Sequence, residues 1–264
     1  GNEAVLVTKE HPLLAVKTNI CSRHTVHKCL FNCAQAYKLQ ETGNVAPNCK
    51  YRDYENYTQE WINADKLKVG DYLVFKANKL YKQENNPSID LARLLGFFVA
   101  EGSTNHGATM FTTHIKEEVV QYEVKSSMLE LIGIPENRYH EYKSIPRSVC
   151  QQHFVSVDVA KKMGDWCGRG SYSKKVPDFI YKGSPEVITE FLKCFWFGDG
   201  YVNQKLGYYQ FCTVSKQLAY QLKRMLEVLG VYSSLKSTQS SGEFNGFTVT
   251  IWGKNATLLA ELFD

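Results

Sequence analysis

The sequence predicts an α+β protein. Its main part is a pseudo-twofold domain of two αββαββα copies, preceded by a smaller, mostly β domain. Three observations predict this. Two apolar runs, Leu94-Leu95-Gly96-Phe97-Phe98-Val99-Ala100-Glu101-Gly102 and Leu192-Lys193-Cys194-Phe195-Trp196-Phe197-Gly198-Asp199-Gly200, end alike in a small residue, a carboxylate and a glycine. After each run the same succession of turn, strand, amphipathic helix, strand pair and helix recurs, with a period of about 98 residues. A polar stretch over 76–88, ending Asn86-Pro87-Ser88, separates all of this from the first 80 residues.

In chain order, two strand signals come first, Ala4 to Leu14 and Trp61 to Leu73. Between them lies an insert with Cys21, Cys29, Cys33 and Cys49. Four thiols this close suggest a structural zinc site, with His24 and His27 as substitute ligands. The insert is also locally basic and rich in tyrosine, which fits a DNA-contacting arm. The other cysteines, Cys150, Cys167, Cys194 and Cys212, lie in apolar contexts and read as small core residues. Nothing suggests a secreted disulfide framework, so an intracellular, reducing compartment is expected.

Beyond the linker, two repeats are expected at about 88–170 and 184–264. Ser88 can cap the first helix, and Ser184 followed by Pro185 starts the second. Gly102 and Gly200 suit the helix ends. In copy one, Asn105-His106-Gly107 marks a turn, and Val120, Val124, Met128 and Leu131 form an apolar helix face closed by Gly133. In copy two, Leu218, Leu222, Met225, Leu226 and Leu229 do the same before Gly230. Phe247, Val249 and Ile251 then alternate with Thr248, Thr250 and Trp252. Helices around 160–166 and 256–263 close the two copies.

The chemistry sits where the two runs end. Gly96 and Ala100, like Cys194 and Gly198, are four apart and therefore share a helix face. If those faces meet, the axes approach at or below about 8–10 Å and Glu101 lies beside Asp199. Two such carboxylates repel unless a cation sits between them, and hard oxygen donors with open positions suit magnesium. At 264 residues and 44% hydrophobic the chain can bury a real core, and no apolar run is long enough to span a bilayer. A net charge of +4 permits a nucleic-acid partner without demanding one.

The paired runs resemble the double motif of the single-chain LAGLIDADG homing endonucleases. The frame is intact, with leucine first, small residues third and seventh, a carboxylate eighth and glycine ninth. Glu101 stands where Asp is commoner in the family. The resemblance implies a monomer that recognises a long, near-palindromic DNA duplex and cuts both strands, with Glu101 and Asp199 holding magnesium. It also implies an active-site lysine three places before a proline. Lys174, before Pro177, takes that place, with Lys175 as the neighbour to weigh. For copy two only Lys236 and Lys254 come into question, and neither is a clear counterpart. The polar strand faces are expected to read DNA, with Asn105, Thr109, Arg138, His140, Lys143, Asn203, Lys205, Gln210, Lys236, Thr238 and Gln239 as candidates. An alternative is a catalytically silent RNA maturase or DNA-binding regulator on the same scaffold.

The first 80 residues resemble part of the intein (Hint) fold through Thr8-x-x-His11 and Leu67-Lys68-Val69-Gly70-Asp71. In that family the Thr and His activate the first peptide bond. Without a leading Cys or Ser and a terminal His-Asn pair, splicing is not expected of the chain as given.

Overall fold

The structure is a computed structural model that describes residues 6–16, 59–68, 71–74, 86–239 and 245–264. The chain forms two compact units, one within Glu3–Lys76 and the other within Ala77–Asp264. The fold class is α+β.

In the first unit, β1 (Pro12–Val16) lies between β2 (Gln59–Asn63) and β3 (Tyr72–Leu73) and pairs antiparallel with both. Ala15 and Ile62 are its buried apolar contacts. Thr8 and His11 close a turn ahead of β1, where the His11 N–H donates to the Thr8 carbonyl at 3.2 Å. The second strand signal is broken by a 3-10 turn at Ala64–Lys66, so it yields two short strands. Cys21, Cys29, Cys33 and Cys49, with His24 and His27, lie outside the described residues.

The second unit carries the repeat. Copy one comprises α1 (Ile89–Glu101), β4 (Gly102–Asn105), β5 (Ala108–His114), α2 (Glu118–Ser126), β6 (Tyr139–Ser144), β7 (Val149–Val155) and α3 (Val157–Cys167). A short helix α4 (Asp178–Tyr181) leads into copy two. That copy comprises α5 (Pro185–Asp199), β8 (Gly200–Asn203), β9 (Tyr208–Thr213), α6 (Lys216–Val228), β10 (Ser234–Gln239), β11 (Asn245–Trp252) and α7 (Lys254–Phe263). The two sheets have equivalent orders, β4-β5-β7-β6 and β8-β9-β11-β10.

Local chemistry sets the boundaries. Ser88, Ser156, Ser184 and Ser215 each cap a helix by accepting an N–H three residues on. His106 and Gly107, with φ of 46° and 78°, make the two-residue hairpin whose twist matches antiparallel strands. Gly133 and Gly230 leave their helices at φ of 80° and 79°, as a left-handed stop requires. In copy one this stop follows a π-helical turn, Ser127–Leu131, which swings Leu131 out of the apolar stripe to 43% exposure. Cys212 also departs from expectation, being exposed, whereas Cys150, Cys167 and Cys194 are buried.

The core lies between the helices and one face of each sheet. Phe98 of α1 meets Phe111 edge-on at 5.7 Å, and Phe111 meets Phe154 likewise at 6.1 Å. In copy two, Phe195 stacks on Phe211 at 6.0 Å, with Val249 and Ile251 buried beside it. Among the described residues, no helix is long and apolar enough to cross a membrane.

Candidate active site at the ends of the crossed helices

Helices α1 and α5 pack along the small faces seen in the sequence. A methyl group added at Gly96 would meet the Phe191 carbonyl oxygen at 2.6 Å and Cys194 Cβ at 2.8 Å. One added at Gly198 would meet Ala100 Cβ at 2.6 Å and Glu101 Oε1 at 3.0 Å. The two backbones therefore touch where any side chain would hold them apart, and this contact brings Glu101 against the end of α5. One face-width back, Arg93 of α1 donates to Glu190 of α5 at 2.6 Å and lies 3.2 Å from Glu123 of α2. This ion-pair clamp was not singled out in the sequence, because Arg93 and Glu190 become neighbours only once the helices cross.

Gly102 and Gly200 end their helices for a reason other than the one expected. Both are extended, at φ −91° and −94°, so neither is a left-handed stop. Space is what they supply. A Cβ at Gly102 would sit 2.3 Å from the Phe98 ring, and one at Gly200 would sit 2.1 Å from the Trp196 ring. Each chain must fold straight from helix into strand over its own aromatic residue, and only glycine leaves room.

The carboxylates carry unmet charge. Partial burial, then the Asp199 charge, raises the Glu101 pKa to about 7, against a smaller lowering by Lys174. Asp199 keeps solvent contact, yet the surrounding protein raises its pKa to about 6, again opposed by Lys174. Two hard oxygen donors, held together with no basic side chain hydrogen-bonded to either among the described residues, fit a small dication.

Lys174 lies on the loop between α3 and α4 and is 7% exposed. Its ammonium donates to the Phe98 and Gly102 carbonyls, both at 2.6 Å, and lies 4.3 Å from the centre of the Phe98 ring. Burial lowers its pKa to about 8, against the opposing charges of Cys167, Asp199 and Glu101. Lys175 is half-buried, and its backbone N–H donates to the Cys167 carbonyl at 2.9 Å. Lys236 lies on β10, and Lys254 opens α7.

The strand candidates divide by pleat. The register β4-β5-β7-β6 puts Ser103, Met110, His153 and His140 in one row of the outward face, with Asn105 and Ala108 in the next. Asn105 and His140 are thus on the outward face, and Arg138 lies exposed just before β6. Thr109 is a correction. It pairs with Phe154 on the helix-facing side and is fully buried, because its neighbours Phe111 and Thr113 point inward with it. Lys143 pairs with Cys150 on the edge strand β6 and is exposed there, 3.2 Å from Glu141.

In copy two, Asn203, Gln210 and Lys236 share the outward face with Tyr201, Tyr208, Thr250 and Trp252, while Lys205 sits in the exposed β8–β9 turn. Thr238 and Gln239 belong to the end of β10, opposite Gly246 and Asn245. Tyr208 packs on Trp252 at 4.3 Å. Tyr201, Tyr208 and Trp252 were not among the sequence candidates, although Trp252 alternates there with Val249 and Ile251.

Residues 186–261 match the model of the LAGLIDADG-like domain. The fold is similar to solved structures of the homing endonuclease I-DmoI, one of them with a TM-score of 0.51 and 13% identity over 66% of this chain and 94% of that one. Among curated proteins, an iron-sulfur cluster assembly SufBD family protein of Mycobacterium bovis is 25% identical over 252 residues, 90% of this chain and 27% of that protein. The ATP-dependent DNA helicase Hel308 of Thermococcus kodakarensis is 25% identical over 236 residues, 79% of this chain and 20% of that protein. The chain spans about a quarter or less of the length of the curated relatives it matches.

Proposed function

We propose that the chain is a site-specific double-strand DNA endonuclease of the LAGLIDADG homing type. The observation that carries this reading is the meeting of Glu101 and Asp199 at the ends of two helices whose backbones touch. Charge is concentrated there at some cost to the fold, as the raised pKa values of both groups show. Such a cost is expected at a functional site. A bound magnesium ion would polarise the scissile phosphate and lower the pKa of the attacking water. Glu101 and Asp199 would hold it, and the Lys174 charge would favour their ionised forms. Solved I-DmoI structures include complexes with DNA and manganese and with DNA and calcium, which supports a divalent cation.

The outward sheet faces would lie along the duplex. They share an asparagine at matching places, Asn105 and Asn203, and differ in the adjoining row, where Ser103, Met110, His153 and His140 stand against Tyr201, Gln210, Thr250 and Ser234. A backbone repeat with unlike faces reads two unlike half-sites, so the target would be less palindromic than the sequence repeat alone implies.

Two relatives with unrelated names, an iron-sulfur assembly protein and a DNA helicase, match this chain over only a fifth to a quarter of their own length. That pattern supports a segment inserted into different hosts. It also supports an intein-type origin for the N-terminal unit, with Thr8 and His11 as its remnant site. The test is cleavage of a duplex carrying the host gene joined across the segment, with magnesium present. The wild type should cut both strands. Glu101→Gln and Asp199→Asn should cut on the order of a thousandfold more slowly and bind the duplex as before. A wild type that binds without cutting would instead show the binding-only relative.

A further inference from the structure

We propose that Lys174 is a positioning residue that pins the last turn of α1, and with it Glu101, and does not reach the DNA. This deepens the endonuclease reading and rests on it only for its consequence. The inference starts from where the ammonium spends its donors. Two go to carbonyls at the C-terminal end of α1, those of Phe98 and Gly102, at 2.6 Å each. The Phe98 carbonyl already accepts the Gly102 N–H, so the lysine adds a second donor there and ties it to the Gly102 carbonyl, across the end of the helix. A cation at a helix C-terminus is also the favoured sign for the helix dipole. The Phe98 ring lies under the ammonium at 4.3 Å and walls it from the opposite side.

The loop that delivers the lysine is itself fixed. Gly168 and Gly170 turn at φ of 84° and 78°, and no residue with a Cβ fits at Gly168, where it would sit 1.8 Å from the Ser173 carbonyl. The Lys174 carbonyl then accepts the Ser215 hydroxyl at 2.6 Å. The ammonium is thus held at both ends of its residue, at 7% exposure, with bonds it would have to break before touching a phosphate. Copy two differs. Its matching carbonyls are those of Trp196 and Gly200, and among the described residues no lysine donates to either. One helix end is pinned by the loop before α4, and the other relies on its own turn.

The experiment is amide hydrogen exchange on the full chain, comparing wild type with Lys174→Met. Positioning predicts that the Val99 to Gly102 amides exchange at least roughly tenfold faster in the variant, the factor that about 1.4 kcal/mol represents. The Phe197 to Gly200 amides at the end of α5 should be unchanged. Calcium affinity should fall in the variant, and the salt dependence of DNA binding should keep its slope. A lysine that reaches a phosphate predicts the reverse, with the slope lowered by about one contact and exchange at α1 unaltered, and that result would overturn the proposal. Should Lys174→Met fail to fold, Ser215→Ala keeps the charge and removes its tether together with the cap of α6. It should speed exchange at Val99 to Gly102 to a smaller degree, and unaltered exchange there would count equally against the proposal. Because exchange needs no cleavage, a wild type that never cuts DNA would sink the endonuclease reading and leave this result standing.

Discussion

At the scale of the residue, Glu101 and Asp199 make the protein's pH response predictable. Their folded pKa values, about 7 and about 6, lie above the ordinary 4.5 and 3.8. Between those limits the folded state holds protons that the unfolded chain has released. Stability from these groups is therefore full at low pH and lost as pH rises through 6–7 in metal-free buffer. Magnesium held by the ionised pair, as proposed, would show its stabilising effect over the same window. Thermal unfolding at pH 5.5 and pH 8, with and without magnesium, checks both signs. Glu101→Gln should flatten the metal-free trend, and an unchanged trend in that variant would dissociate it from this pair. Thr109 shows the limit of reading single residues. Its type suits a base-contacting face, yet its hydroxyl is buried without a partner among the described residues. The β4–β5 register put it on the inner side, and one position either way would have put it outside.

At the scale of the element, the helix pair is set by what is missing from it. Gly198 lets α5 approach Ala100 and Glu101, and an added methyl group would overlap both. Gly198→Ala should cost about 1–3 kcal/mol of stability, as other overpacked cores do, and should shift Glu101 away from Asp199. Calorimetry would read the stability. Loss of magnesium binding out of proportion to the lost stability would read the displaced carboxylate. A variant as stable as wild type, with metal binding intact, would mean that the helices sit further apart than this contact implies. The sequence showed these small residues at helical spacing, so the contact face was legible. The Arg93–Glu190 clamp was not, since its two members lie on different helices and gain meaning only from the crossing.

At the scale of the whole molecule, a net charge of +4 is modest for the DNA-binding role proposed, which would need charge to be placed rather than abundant. Arg138, Lys205 and Lys236 are exposed in the second unit, about the outward strand faces. Affinity for duplex DNA should fall steeply with salt, by on the order of a thousandfold between 50 and 200 mM if about six phosphates are contacted. Binding measured by fluorescence anisotropy across that range tests it, and a flat response would remove the duplex-tracking role of the sheets.

The sequence by itself determined the repeat, the helix starts, the small contact faces and the two carboxylates. Each of these is written in local spacing, where periods of 3.6 and 2 map directly onto faces. Only the tertiary structure decided which strand face looks outward, why Gly102 and Gly200 are glycine, and where the Lys174 ammonium goes. Those depend on partners far along the chain, such as Phe98 for a lysine on the loop before α4. Spacing along one segment carries no information about which distant backbone carbonyl a lysine will reach.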